Sequence, residues 1–426
     1  MTPVREYEHR YKLANELHAR PFPVLKAPCR AAFIAFRQPV KPAFRDRAAD
    51  RAHLIALLDR FGSDHPKPEA THYFGRLGKH NLKWESHTEF TTYTIFADGV
   101  ADTPFNAETF NMLPADWLEA APGERMTSAL VRVEDAEDFS TIPEKLLDWF
   151  VPESLAASQV LDGEAVMASD FRIDAGGHIR LALFVKPEMG QQRTGRVVQR
   201  LCEIETYKTA SMLGLMDVRE LSPRMADIDT ALTGLMEDMR RDDARAEHTL
   251  KSLLGVATEL ETYLAQSTFR FGATRAYARI VNQRIEVLRE SRLGGRQTLA
   301  EFMMRRFDPA MRTVEATEER LNGMADRAER AANLLRTQVD VERSAQNQKV
   351  LESMDRRADL QLRLQRTVEG LSVVAVSYYA VSLMTYLIAP AGGPLGVSKA
   401  MLTALITLPV IGLVWWFLRR LRRDSE

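Results

Sequence analysis

Short runs in which apolar and polar positions alternate dominate the chain up to about residue 190. The stretch "CRAAFIAFRQ" predicts a strand, and "FRDRAADRAHLIALLDRFG" predicts a helix that stops at Gly62. "THYFGRLGKHNLKWESHTEFTTYTIFADG" predicts a meander of strands with a tight Gly-Lys-His turn. Farther on, "ALVRVED" and "EAVMASDFRIDAGGHIRLALFVK" add strands, the latter as a hairpin turning at Gly176-Gly177. Strands follow strands more often than they alternate with helices. The pattern over residues 1–190 therefore predicts an α+β domain rather than a doubly wound sheet.

The period changes near Gly195, where "RVVQRLCEIETYKTASMLGLM" carries apolar residues at helical spacing. From 191 to 366 the composition is that of long helices, rich in Ala, Leu, Glu, Arg, Gln and Met. Leu321, Met324, Ala328, Ala331 and Leu335 fall three and four apart, one apolar stripe among charges that needs a partner. Antiparallel helices of the same chain or an intermolecular coiled coil supply one, and both can hold together. Gly294-Gly295 in "SRLGGRQ" predicts a corner between one long helix and the next.

Two uncharged stretches close the pattern within 367–420. Residues 371–388 and 400–418 are each long enough to cross about 30 Å of hydrocarbon as a helix. Arg356, Arg357, Arg363 and Arg366 precede the first, and Arg419, Arg420, Arg422 and Arg423 flank the second and open the 421–426 tail. By the positive-inside rule both ends lie in the cytoplasm and the bilayer is a partner. In the first stretch Ser372, Tyr379, Ser382 and Tyr386 share one helix face. Such a stripe packs against other helices or lines a water-filled path.

Composition narrows the classes further. With 57 Lys+Arg against 58 Asp+Glu the net charge is -1, so no global field favours nucleic acid. Cys29 and Cys202 are far apart in sequence, which speaks against a disulfide framework or a cysteine zinc site. "MTPVREYEHRYKLANELHARPF" is charged throughout and is not expected to act as a signal peptide.

Candidate chemistry is sparse. In "KWESHTE", Glu85, His87 and Glu89 share one face if the strand continues through them, a nitrogen and oxygen set able to hold a divalent cation. A solvated sheet face accounts for the same residues. Glu16, His18 and Arg20 alternate in "NELHARPF", offering an acid, a base and an anion-binding group if the segment is extended, or else a docked terminus. Neither GxxxxGK[ST] nor GxGxxG is present, so no nucleotide cofactor is implied and no enzymatic activity is expected.

The motifs "ELHARPF", "LKWESHTEFTTYTIF", "CEIETYKTASMLGL" and "LQRTVEGLSVVAVSYYAVSLMTYL" together resemble the bacterial membrane-anchored proteins grouped as domain of unknown function 3422. The resemblance implies a cytoplasmic body and a C-terminal anchor, and no activity. In layout, residues 300–426 are also similar to CorA-type magnesium transporters: a very long helix, a first span, a short loop, a second span and a basic tail. That likeness implies a ring-like oligomer with the first span lining a pore. It departs where such transporters carry Gly-Met-Asn, because this chain reads "YLIAPAGGP" there.

Taken together, the sequence predicts an oligomeric interaction module anchored in the bacterial inner membrane. It has an α+β cytoplasmic domain, a stalk of long antiparallel or coiled-coil helices and a two-helix transmembrane hairpin. A divergent CorA-like cation channel or sensor is the alternative.

Overall fold

A computed structural model describes residues 4–16, 22–40, 42–240, 246–388 and 399–423. They fall into two compact units. One takes the described residues within Met1–Asp242 and Lys251–Ala331, and the other those within Asp243–Leu250 and Ala332–Glu426.

The first unit is an α/β domain built on nine strands. β1 (Cys29–Arg37), β2 (His72–Leu77), β3 (His80–Ser86), β4 (Thr91–Asp98), β5 (Glu124–Asp135), β6 (Ala156–Val160), β7 (Ala165–Ser169), β8 (Ile179–Val185) and β9 (Ser291–Arg292) form one sheet. Their order is β2-β3-β4-β1-β5-β8-β7-β6-β9. Neighbours are antiparallel except β5 and β8, which run parallel. The meander and the later hairpin form as the pattern predicts. Gly78, at φ +59°, opens a two-residue turn that sets Leu77 opposite His80, the left-handed conformation glycine adopts without steric cost.

Strand β1 shows why the sheet needs two covers. Its continuous apolar run buries Ala31, Phe33 and Ala35 on one face and Ala32, Ile34 and Phe36 on the other. On the first face lie α5 (Gln191–Asp238), α6 (Ala246–Glu286) and α7 (Leu299–Arg306), through Val197, Leu201, Ile285 and Phe302. The second face is covered by α2 (Arg47–Arg60) through Leu54, Leu57 and Leu58, by α3 (Ala115–Glu119) through Trp117, and by α4 (Ile142–Trp149) through Ile142 and Leu146. The expected α+β arrangement thus becomes a sheet sandwiched between helices. The cover on the first face comes from the region read as a stalk, because β1 is apolar on both faces.

Local signals fix the helix ends. Asp46 caps α2 by accepting the Ala49 N–H at 2.9 Å. At α7, Thr298 and Glu301 form a capping box, and the Glu290 carboxylate accepts the N–H groups of Leu299 and Ala300 at 3.1 and 2.9 Å. The corner at Gly294-Gly295 is present, and just before it the chain adds the two-residue edge strand β9 to β6. The long helix α8 (Asp308–Ile388) follows, then α9 (Lys399–Arg423), and a short α1 (Arg10–Glu16) lies near the start. Leu321, Met324, Ala328, Ala331 and Leu335 on α8 are all buried within the chain. Across the first four, Asp229 of α5 accepts hydrogen bonds from Arg320 and Arg327 at 2.9 and 2.8 Å. A helix of the same chain therefore lies against the Leu321–Ala331 part of that stripe.

Candidate functional site

The richest concentration of polar groups lies where the β3–β4 loop meets α5 and α6. On β3 the period of two sends Leu82 and Trp84 to the α2 side, and Lys83 and Glu85 to the α5 side. The Lys83 ammonium sits 3.0 Å from the Glu85 carboxylate, both almost wholly buried. This is an ion pair by distance, without the alignment of a hydrogen bond.

The strand then stops at Ser86, and the His87 N–H donates across the loop to the Phe90 carbonyl at 2.9 Å. Glu85, His87 and Glu89 consequently do not share a strand face, which corrects the expected metal-binding trio. The His87 ring packs 4.6 Å from Phe90 and edge-on to Tyr207. Glu89 turns to α6, where Arg270 holds its two oxygens at 3.1 and 2.5 Å and the Tyr277 hydroxyl donates at 3.0 Å. Among the described residues no three His, Cys, Asp or Glu side chains come together to hold a metal ion.

Two arginines missed in the sequence clamp this loop from opposite sides. Arg45 donates to Asp50 at 2.8 Å, to the Thr91 hydroxyl at 2.6 Å and to the His87 carbonyl. Arg270 and Tyr277 stand seven residues apart on α6 and so share its face. The readable signal was Arg270 itself, a charge set between Phe269 and Phe271 in an apolar helical run.

Between the sheet and α5 this region encloses a cavity of about 20 Å³ lined by Lys83, Glu85, His87, Gln199, Cys202 and Tyr207. That is room for about one water molecule. Gln199 donates through Nε2 to Glu203 at 2.7 Å, and Glu203 accepts from Arg284 at 2.5 Å. Burial pushes the Cys202 thiol far up, against the opposing charge of Lys83, and burial chiefly pushes Cys29 up to about 12. Both remain protonated and poorly nucleophilic. Burial, the Glu89 charge and their shared hydrogen bond raise Tyr277, while burial raises Asp217 against the pull of Arg270. The charges lining the loop are matched in opposite pairs, and the cavity is too small for an organic substrate. This arrangement joins helix to sheet.

The remaining expected residues lie elsewhere. Glu16 is the last residue of α1, a helix rather than an extended strand, and His18 and Arg20 lie outside the described residues. On α8 the Ser372 hydroxyl donates to the Val368 carbonyl at 2.9 Å. Tyr379 and Tyr386 are 69% and 74% exposed, and Ser382 is half-buried. The "APAGGP" junction falls outside the described residues.

Among the described residues two helices, the one ending at Ile388 and the one from Ala400 to Phe417, are long and apolar enough to cross a membrane. Only 6% of the first apolar window and 0% of the second is buried within the chain. Arg419 and Arg420 stand 5.0 and 5.5 Å from the Trp415 and Trp416 rings at the end of α9.

No curated protein and no solved structure matches the chain. A family model matches residues 5–425, nearly the whole chain. The chain belongs to the family described as protein of unknown function (DUF3422).

Proposed function

We propose that the chain is a binding module anchored in the inner membrane, with α8 from about Leu371 and α9 crossing the bilayer as a hairpin and the α/β unit held in the cytoplasm. One observation carries this reading. Among the described residues between Leu371 and Phe417, seventeen large hydrophobic side chains are exposed. Each one left in water forgoes about 1.5–3 kcal/mol of burial. A core hairpin would hide them in its own chain, and lipid is the remaining solvent that suits them.

The flanks support the orientation. Arginines precede the first stretch and follow the second, and Trp415 and Trp416 beside them suit the interface. The module acts by binding: both cysteines are held protonated by burial, and the polar joint ties helix to sheet. Alkaline washing of membranes carrying the full chain tests the anchor, which predicts retention until detergent is added. Saturable magnesium uptake by proteoliposomes of the purified chain would shift the reading to the CorA-like alternative.

A further inference from the structure

The second unit contains a long stretch of helix in which no residue is buried. From 340 to 368 every residue of α8 is exposed, including Val350, Leu351, Met354, Leu360, Leu364 and Val368 at 54–66%. Helices gain most of their stability from packing an apolar face; Arg343 still reaches Glu247 of α6 at 3.0 Å, but from 344 to 368 α8 buries no residue against the described chain.

Its sequence is sorted by face. Val350, Met354, Arg357, Gln361, Leu364, Val368 and Leu371 follow one another at alternating steps of four and three, the seam of a heptad repeat. The positions flanking that seam, from Leu351 to Thr367, carry no charge. Of the nine charged residues between Asn347 and Leu371, eight fall on the other three heptad positions, and Arg357 is the exception. A solitary solvated helix has no reason to clear one broad face of charge.

The seam also continues past the stalk. The same steps lead from Leu371 to Ala375, Tyr378, Ser382 and Thr385, and Ser372, Tyr379 and Tyr386 lie along its edge. The chain covers a different side of this stretch, where Ser377 is buried at 6% exposure and Val373, Ala380 and Val381 are half-buried. Ser372, Ala375, Tyr378, Tyr379 and Tyr386 are thus left on the open side, with Ser382 and Thr385 half-buried at its border.

We infer that this face binds the same face of a second copy of the chain, parallel and in register, from Asn347 through the upper part of the apolar stretch. The inference rests on the membrane reading above, since copies inserted in one bilayer hold their α8 helices parallel. The occupant follows from continuity. A partner must offer a heptad face in water that is uncharged but for one seam position and runs without a break into an apolar helix, and a second copy offers both halves in the same register, with Arg357 as the one charged layer. Gln361 within the seam fixes that register at some cost in stability.

Single cysteines introduced into the full chain, in isolated native membranes treated with copper-phenanthroline as the oxidant, provide the test, against a parent whose Cys29 and Cys202 are buried. The inference predicts that Val350→Cys and Leu364→Cys form a disulfide-linked band at twice the chain mass, whereas Glu352→Cys and Asp359→Cys do not. All four positions are exposed in the single chain, so folding is not at issue. Equal linkage at all four, linkage at none, or a product containing a different protein would overturn it. An alkaline wash of the same membranes separates the two readings: release of a chain that still links at 350 and 364 sinks the anchor alone, whereas retention with no position-specific linkage sinks the seam alone.

Discussion

Arg270 and Glu89, 181 residues apart in the chain, meet as a buried two-point ion pair that fastens α6 to the β3–β4 loop. The pair is part of a larger clamp, because Tyr277 bonds the same carboxylate and Arg45 holds the loop from its other side. Removing one partner strands the other charge in a low-dielectric setting. Arg270→Met or Glu89→Gln alone is expected to lower unfolding stability by about 3–5 kcal/mol. The double replacement Arg270→Met with Glu89→Leu should recover a large part of the loss. Urea titration of the detergent-solubilised chain, read by tryptophan fluorescence, measures both.

Close approach of backbones yields a second prediction. A Cβ on Gly195 would overlap the Pro23 carbonyl oxygen, and one on Gly214 would stand 3.1 Å from Thr274 Cβ and overlap its hydroxyl. Gly195→Ala and Gly214→Ala should therefore destabilise the chain, the former more because its obstacle is backbone. Nothing lies within 4 Å of a Cβ on Gly234, in the C-terminal part of α5 four residues before its end. There alanine should stabilise by about 0.5–1 kcal/mol, the usual helical preference over glycine. Thermal denaturation of the three variants gives the order directly.

Two buried histidines set an acid limit. His53 accepts through Nδ1 from the Tyr93 hydroxyl at 3.0 Å and donates through Nε2 to the Trp117 carbonyl at 2.9 Å. Burial lowers it below 6.5, and burial, joined by Arg125, lowers His178 in the same way. For a depressed histidine the unfolded chain takes up its proton first as pH falls. The neutral form's contribution is thus complete above pH 6.5 and is lost as pH falls from 6.5 through the folded value. Stability should be flat from pH 8 to 7 and decline below 6.5. His53→Gln should be less stable at pH 7 and show a shallower decline. A slope of opposite sign in this window would contradict the assignment.

What could be read from the chain beforehand divides by range. The meander from His72 to Asp98 was legible because its alternation and the turn at Gly78 are local, and so was the Leu321–Leu335 stripe. The parallel pairing of β5 with β8 was not, since 50 residues separate the paired Leu130 and Arg180 and no local pattern in either strand marks the other as its partner. Strand β9 has two residues and no periodicity of its own. Among the candidate residues, Glu85 and His87 do line one cavity, but Glu89 was misassigned. Whether the strand continues past Ser86 depends on Arg45 and Arg270, which reach the loop from distant parts of the chain.

The central claim is that the helices ending at Ile388 and Arg423 have lipid as their solvent. Its most direct measurement is the partition of the full chain between membrane and aqueous fractions after an alkaline wash, before any detergent. The account predicts that the chain stays with the membranes and is freed by detergent alone. Recovery of the folded chain in the aqueous fraction would contradict it.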